Sequence, residues 1–159
     1  MAVKTKAIRT GQYEWRSVCL TLAGKNLDPE KVTKALGIPP DDRAKRGEPR
    51  STNRKKKCKQ GYWSLDGGSS KWRVETQMTN ILKRLSPVKR RLRQLLKEDK
   101  DVKRADLTIA IMPPAGVLAA QYRLNAELVD EFASLGVDIK LSIHVLGEVD
   151  DLFGGNKAD

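Results

Sequence analysis

Val18, Leu20 and Leu22 alternate with Ser17, Cys19 and Thr21, the period of two that belongs to a strand with one buried face. The period then changes. Val32, Ala35 and Leu36 are three and four positions apart and share one side of a helix at about 100° per residue. Asp28, Pro29 and Glu30 precede them, supplying an N-cap, a proline that fits the first helical position and an acid beside the positive helix end. Gly37 stops this helix, and Ile38-Pro39-Pro40 leaves it extended, because a residue before proline is sterically kept out of the helical region. Residues 43–59 hold no large apolar side chain and are broken by Gly47, Pro49, Ser51 and Asn53, which predicts a loop of a length uncommon inside compact domains. Gly61-Tyr62-Trp63-Ser64-Leu65-Asp66, bounded by Gly67-Gly68, predicts a short strand.

The longest periodic segment follows. Val74, Met78, Ile81, Leu82, Leu85, Val88, Leu92, Leu95 and Leu96 lie along one side of a helix. Pro87 interrupts it, either as a kink or as the opening of a second helix capped by Ser86, and both readings are open at this point. Leu107, Ile109 and Ile111 alternate with polar or small neighbours, and Pro113-Pro114-Ala115-Gly116 predicts a turn into a hairpin partner at 117–123. Asn125 caps a helix carrying Leu128, Val129 and Phe132, closed by Gly136. Val137, Ile139, Leu141, Ile143 and Val145 form the cleanest alternation in the chain. The glycine-rich acidic tail, 147–159, is expected to fray except where Leu152 and Phe153 offer a contact. Helices and strands thus intermix with one polar face on several strands. The expectation is a single α+β domain over residues 1–146, with the 43–59 loop inserted. It has a mixed or antiparallel sheet of about five strands and three helices packed on one face.

Composition fits one domain with a real core, at 159 residues of which 39% are hydrophobic. Charge changes the picture more. There are 31 Lys and Arg against 20 Asp and Glu, a formal net charge of +11. Residues 43–59 carry nine basic and one acidic side chain, residues 60–104 twelve and five, and residues 105–159 three and nine. The excess is therefore concentrated, and a polyanionic partner becomes the first question. Cys19 and Cys58 are too few for a disulfide framework and lack the spacing of a zinc site. A reducing, cytoplasmic setting is expected. The first residues lack the apolar run of about seven to fifteen that a secretory signal needs, and no apolar run approaches membrane-spanning length, so no membrane association is expected.

Residues 22–40, the Gly47 turn, Gly61-Tyr62-Trp63-Ser64-Leu65 and Leu82-Lys83-Arg84-Leu85-Ser86-Pro87 occur in an order that resembles the small bacterial proteins catalogued as domain of unknown function 4279. In that family a capped helix ending in leucine-glycine precedes a proline, a loop and a tryptophan-containing strand. The resemblance extends to Leu135-Gly136-Val137-Asp138-Ile139-Lys140-Leu141-Ser142-Ile143. It implies no catalytic residues, since the family has no established activity, and the run of cations at 54–59 is heavier than the family leads one to expect.

No catalytic, metal or cofactor site emerges. His144 stands alone on the polar side of the last strand, where a solvent-facing histidine is the simpler reading. Glu148, Asp150 and Asp151 lack the spacing of a calcium loop. Gly67-Gly68-Ser69-Ser70 lacks the lysine-serine pair of a phosphate-binding loop. The strongest signal is cationic: Arg43, Lys45, Arg46, Arg50, Arg54, Lys55, Lys56, Lys57 and Lys59 in the loop, joined by Lys83, Arg90 and Lys97 opposite the apolar stripe of the long helix. Arg84 and Arg91 lie on its flank. Such a set can neutralise several phosphates, and Tyr62, Trp63 and Trp72 are candidates for stacking on exposed bases, against the simpler reading of these rings as core. The expected function is a non-catalytic protein binding nucleic acid or another polyanion. The alternative is a protein-interaction module, such as an immunity or inhibitor protein with an acidic partner.

Overall fold

The computed structural model describes residues 14–50, 54–114 and 122–144. At its centre is β1 (Trp15–Gly24), whose alternation places Val18, Leu20 and Leu22 fully inside. It pairs antiparallel with β3 (Gly61–Asp66) on one side and β4 (Arg104–Met112) on the other. β2 (Asp42–Ala44) continues the sheet beyond β3, also antiparallel. β5 (Asp138–Ile143) runs parallel to β4 at the opposite end. The order is β2-β3-β1-β4-β5 in one mixed sheet, as expected of an α+β domain.

The registers decide which face is which. Leu20 lies opposite Leu65 and Leu107, and Leu22 opposite Trp63 and Ala105, so all of these point to one side. That side is covered by α1 (Pro29–Leu36), α2 (Val74–Leu85), α3 (Lys89–Glu98) and α4 (Ala126–Ser134), whose Leu36, Met78, Ile81, Leu85, Leu92 and Phe132 complete the core. The three expected helical segments are present, the middle one divided. A 3-10 turn at Ser86–Val88 separates α2 from α3, and Ser86 does not cap the second helix, since no side chain caps its N-terminus. Val88 stays buried, so the apolar stripe runs through the turn. The other face of the sheet carries Cys19, Thr21, Tyr62, Ser64 and Thr108. No helix among the described residues covers it.

The hairpin expected after Ile111 is not formed by β4. Both edges of β4 are taken, by β1 over its whole length and by β5 from Asp106 to Ile111. The local Pro-Pro turn signal loses to a non-local parallel partner, and the expected return strand falls mainly on residues outside the described set.

β1 is longer than β3: its pairing with β3 covers Cys19 to Gly24 only. Beyond that point Gln77, fully buried on α2, takes over. Its Oε1 accepts from the Val18 amide at 3.0 Å, and its Nε2 donates to the carbonyls of Arg16 at 3.3 Å and Trp72 at 3.1 Å. A helix side chain thereby stands in for the missing strand, which keeps buried backbone groups paired.

Helix caps follow the sequence. Asp28 Oδ1 accepts from the Glu30 amide at 3.1 Å, Gly37 ends α1 at φ 75°, and Asn125 Oδ1 accepts from the Leu128 amide at 3.2 Å. The Glu30 amide holds the Asp28 carboxyl below the ordinary aspartate value, with Lys45 and Lys31 adding to the effect. A carboxyl lowered in the folded state stabilises at pH above its unfolded value, and that stability disappears as pH falls through the folded value. The melting temperatures of the protein and of Asp28→Ala are therefore expected to converge on acidification from about pH 6 to about pH 3. A constant gap across that range would show that the cap does not depend on charge.

Candidate functional site

The described residues of 43–59 do not form the irregular loop that their composition suggests. The Gly47 amide donates to the Cys58 carbonyl at 2.8 Å, the Cys58 amide to Glu48 at 2.8 Å and the Arg50 amide to Lys56 at 2.9 Å. Pro49 and Lys57 form a bridge. The segment is a narrow antiparallel ribbon, and its first residues form β2. Patterning gave no sign of this, because a ribbon open to solvent on both faces needs no alternating apolar positions. Cys58 is its one buried hydrophobic residue outside β2.

The base of the ribbon is held by polar contacts. Tyr62 Oη donates to Asp42 Oδ2 at 2.9 Å, and Ser64 Oγ to the Asp42 carbonyl at 3.1 Å. The Lys45 amide donates to Glu48 Oε2 at 2.7 Å, closing the turn at Gly47. Asp41 Oδ2 accepts from the Asp66 amide at 2.7 Å and pairs with Arg84 of α2. Arg91 Nη1 donates to the Leu36 carbonyl at 3.0 Å. Arg84 and Arg91, on the flank of the basic helix face, thus serve the fold.

Two of the ribbon's cations are also spoken for: Arg43 lies 3.7 Å from Glu30, and Lys45 lies 3.4 Å from Asp28. Arg46, Arg50, Arg54, Lys56, Lys57 and Lys59 are exposed and make no ion pair among the described residues. Lys55 is exposed between them. The ribbon thus concentrates cationic charge on a backbone that is itself hydrogen-bonded.

Between the ribbon and the bare face of the sheet lies a cavity of about 540 Å³, open on one side. Thr21 and Ala23 of β1 and Tyr62 of β3 come from the sheet, Arg50, Cys58 and Lys59 from the ribbon, and Asp42 and Gln60 from their junctions. Thr21 was legible as a residue on the polar side of β1. Asp42 and Gln60 had no sequence signal as site residues.

Lys83, Arg90 and Lys97 are exposed on α2 and α3 as expected, but they do not join the ribbon. They project from the helical layer, and none of them lines the ribbon's cavity, which opens on the uncovered face.

The three rings separate as well. Trp63 is fully buried and its Nε1 donates to Thr33 Oγ1 at 3.1 Å, so it offers no face to a base. Trp72 is 47% exposed but lies at the far end of β1. The Arg16 amide donates to the Ser70 carbonyl at 3.2 Å, and Arg16 and Ala23 are about 23 Å apart at about 3.3 Å per residue. Only Tyr62, half-buried in the cavity wall, stands beside the cations.

The glycine-rich turn uses its amides internally. Gly67 donates to Val18 and Gly68 to Asp66, and a Cβ on Gly68, at φ 111°, would lie 2.3 Å from the Trp72 ring. His144 is exposed, its amide bonded to Ile111. Glu148, Asp150 and Asp151 lie outside the described residues, among which no group of His, Cys, Asp and Glu is arranged to hold a metal. Burial pushes the Cys19 thiol up, with the Thr21 and Ser64 hydroxyls pulling the other way. A second open cleft, of about 710 Å³ at the Trp15 end of β1, contains Glu14 and Tyr122. Burial raises the Glu14 carboxyl, and the Tyr122 hydroxyl and Arg16 outweigh it and hold it low. Those polar groups are already turned on one another.

One helical layer on a five-stranded mixed sheet, with a cationic ribbon across part of the bare face, defines an α+β domain with an open polar sheet face. Over residues 12–146 the sequence matches the family model of the domain of unknown function DUF4279, and the chain belongs to that family. No curated protein and no solved structure matches it. No helix among the described residues is long and apolar enough to cross a membrane.

Proposed function

We propose that this is a non-catalytic binding protein whose ribbon, within residues 43–59, contacts nucleic acid or another polyanion in a cytoplasmic setting. The observation that carries this reading is the set of six exposed cations that make no ion pair among the described residues, on a hydrogen-bonded ribbon. A paired surface cation gains little by leaving its carboxylate for a phosphate, whereas an unpaired one releases condensed counterions from the polymer at little cost to the protein. Ordering matters too, because a ribbon already folded loses less conformational entropy on binding than a disordered tract. A two-stranded ribbon also matches the width of a nucleic-acid major groove.

The test is fluorescence polarisation with labelled duplex and single-stranded oligonucleotides across a salt titration, using the protein and a variant with Arg54, Lys55, Lys56, Lys57 and Lys59 replaced by Gln. Each lost phosphate contact is expected to reduce the slope of log K against log salt by about 0.7–0.9. The variant's melting temperature is expected to stay within about 2 °C, since exposed side chains distant from the core contribute little. Unchanged affinity and slope in the variant would overturn the reading.

The alternative, a protein-interaction module, is favoured by a separate observation. Among the described residues β5 is the terminal strand of the sheet, and Leu141 and Ile143 on it are 49% and 46% exposed. A terminal strand with apolar side chains is a template for an added strand from another chain. Such a partner would resist displacement by polyphosphate, unlike one held by the ribbon's charge.

A further inference from the structure

We propose that the cavity between the ribbon and the sheet is a pocket for one nucleotide unit, a nucleobase with its phosphate. This deepens the reading of the ribbon as a polyanion contact and rests on it. The Tyr62 ring is the accessible part of the cavity floor, which Ala23 and Cys58 also line at 1% and 5% exposure. The Tyr62 hydroxyl is tied to Asp42 Oδ2 at 2.9 Å, so the ring is already oriented and stacking on it costs little further ordering. Around the floor stand Thr21 and Gln60, which exchange hydrogen bonds with amino and carbonyl edges, and the Asp42 carboxylate, which already accepts from the Arg43 amide and the Tyr62 hydroxyl. Arg50 and Lys59 close the circle from the ribbon.

The arrangement fixes which end enters. Asp42 beside the floor repels a phosphate, and Arg50 and Lys59, both exposed, attract one. The base therefore lies inside and the phosphate at the rim. A volume of about 540 Å³ falls within the usual range for small-molecule pockets. An acidic peptide would use the cations but not the flat floor. A base stacked in a duplex cannot reach that floor, so the unit is either a free nucleotide or an unpaired base of a strand.

Isothermal titration of the full chain with AMP, GMP, CMP and UMP, and with ribose 5-phosphate as a base-less probe, tests this. At least one mononucleotide is expected to bind about tenfold or more tightly than ribose 5-phosphate, the contribution of one stacked base. Ala23→Leu fills the floor and is expected to remove that advantage, and Thr21→Leu, on a half-buried position, does the same should the first variant fail to fold. Equal binding of ribose 5-phosphate and all four nucleotides, or full nucleotide binding in a folded cavity-filling variant, overturns the proposal. Duplex binding separates this from the ribbon reading, because it is expected to survive Ala23→Leu and to be lost in the five-Gln variant. A single-stranded oligonucleotide assigns the source of the unit. Weaker binding by Ala23→Leu places a strand's base in the pocket, and oligonucleotide binding unaffected while mononucleotide binding is lost places a free nucleotide there.

Discussion

Gln77→Leu is expected to lower the unfolding free energy by about 4 kcal/mol, and the melting temperature by about 10 °C, although Gln77 belongs to a helix and contacts no candidate ligand site. The side chain is fully buried and makes three hydrogen bonds to backbone: from the Val18 amide, and to the carbonyls of Arg16 and Trp72. Leucine fills a similar volume but leaves these groups without a partner, at a cost of about 1–3 kcal/mol for each buried group that water cannot reach. Carbonyls retain other interactions more readily than an amide, so the sum falls short of three full penalties. Gln77→Glu separates the donor from the acceptor role. Its carboxylate still accepts from Val18 but can donate to a carbonyl only when protonated, so its folded-state pKa is raised. Stability gained that way is present at low pH and lost as pH rises through the folded value. Thermal melts of both variants at two pH values check this, and a Gln77→Leu loss under about 1 kcal/mol would show that the strand end is held otherwise.

Gln77 also marks where the sequence could have been read further. It occupies the same side of the helix as Val74, Met78, Ile81 and Leu85, and a polar residue in an apolar stripe signals a buried hydrogen-bonding duty. Elements governed by local chemistry were legible. Asp28, Pro29 and Gly37 bound α1, Asn125 caps α4, and alternation assigns the faces of β1 and β4. Elements governed by distant partners were not. β2 is three residues long and exists because Asp42 and Ala44 find Ser64 and Tyr62. The order of the ribbon comes mainly from backbone bonds, closed by the Glu48 side chain at the Gly47 turn, and Cys58 is its buried residue. β4 could not form the expected hairpin because β5, some 30 residues on, takes that edge.

The site shows the same division. Composition located the cations of 43–59 correctly in the chain, and helical periodicity placed Lys83, Arg90 and Lys97 on an exposed face. Charge counts carry no information about which side of a sheet a segment crosses. That followed only once Thr21, Ala23 and Tyr62 were found beneath the ribbon and Leu20, Leu22 and Trp63 beneath the helices. The cations of the ribbon and those of α2 and α3 stand on different elements. On the proposed reading, the difference in salt slope between the protein and the five-Gln variant is expected to report the ribbon's phosphate contacts, since the helix cations are common to both.

Parity along β3 carries the second large prediction. Tyr62 and Trp63 are adjacent, so their side chains leave opposite faces of the sheet. Tyr62 lines the cavity, and Trp63 enters the core with 0% exposure and a hydrogen bond from Nε1 to Thr33 Oγ1 of α1. Trp63→Ala is therefore expected to cost about 3–5 kcal/mol through the void left between β3 and α1. Trp63→Phe is expected to cost less, since most of the ring volume stays and only the indole donor and one ring are lost. Trp72→Ala, at a position 47% exposed, is expected to cost under about 1 kcal/mol. Denaturant titrations followed by circular dichroism measure all three without relying on the fluorophores removed. Oligonucleotide affinity supplies the second axis: Trp63→Phe and Trp72→Ala are expected to bind as the unaltered protein does, and Tyr62→Leu to bind single strands more weakly. A Trp72→Ala variant that lost binding while keeping its stability would move the stacking surface to the far end of β1, away from the ribbon.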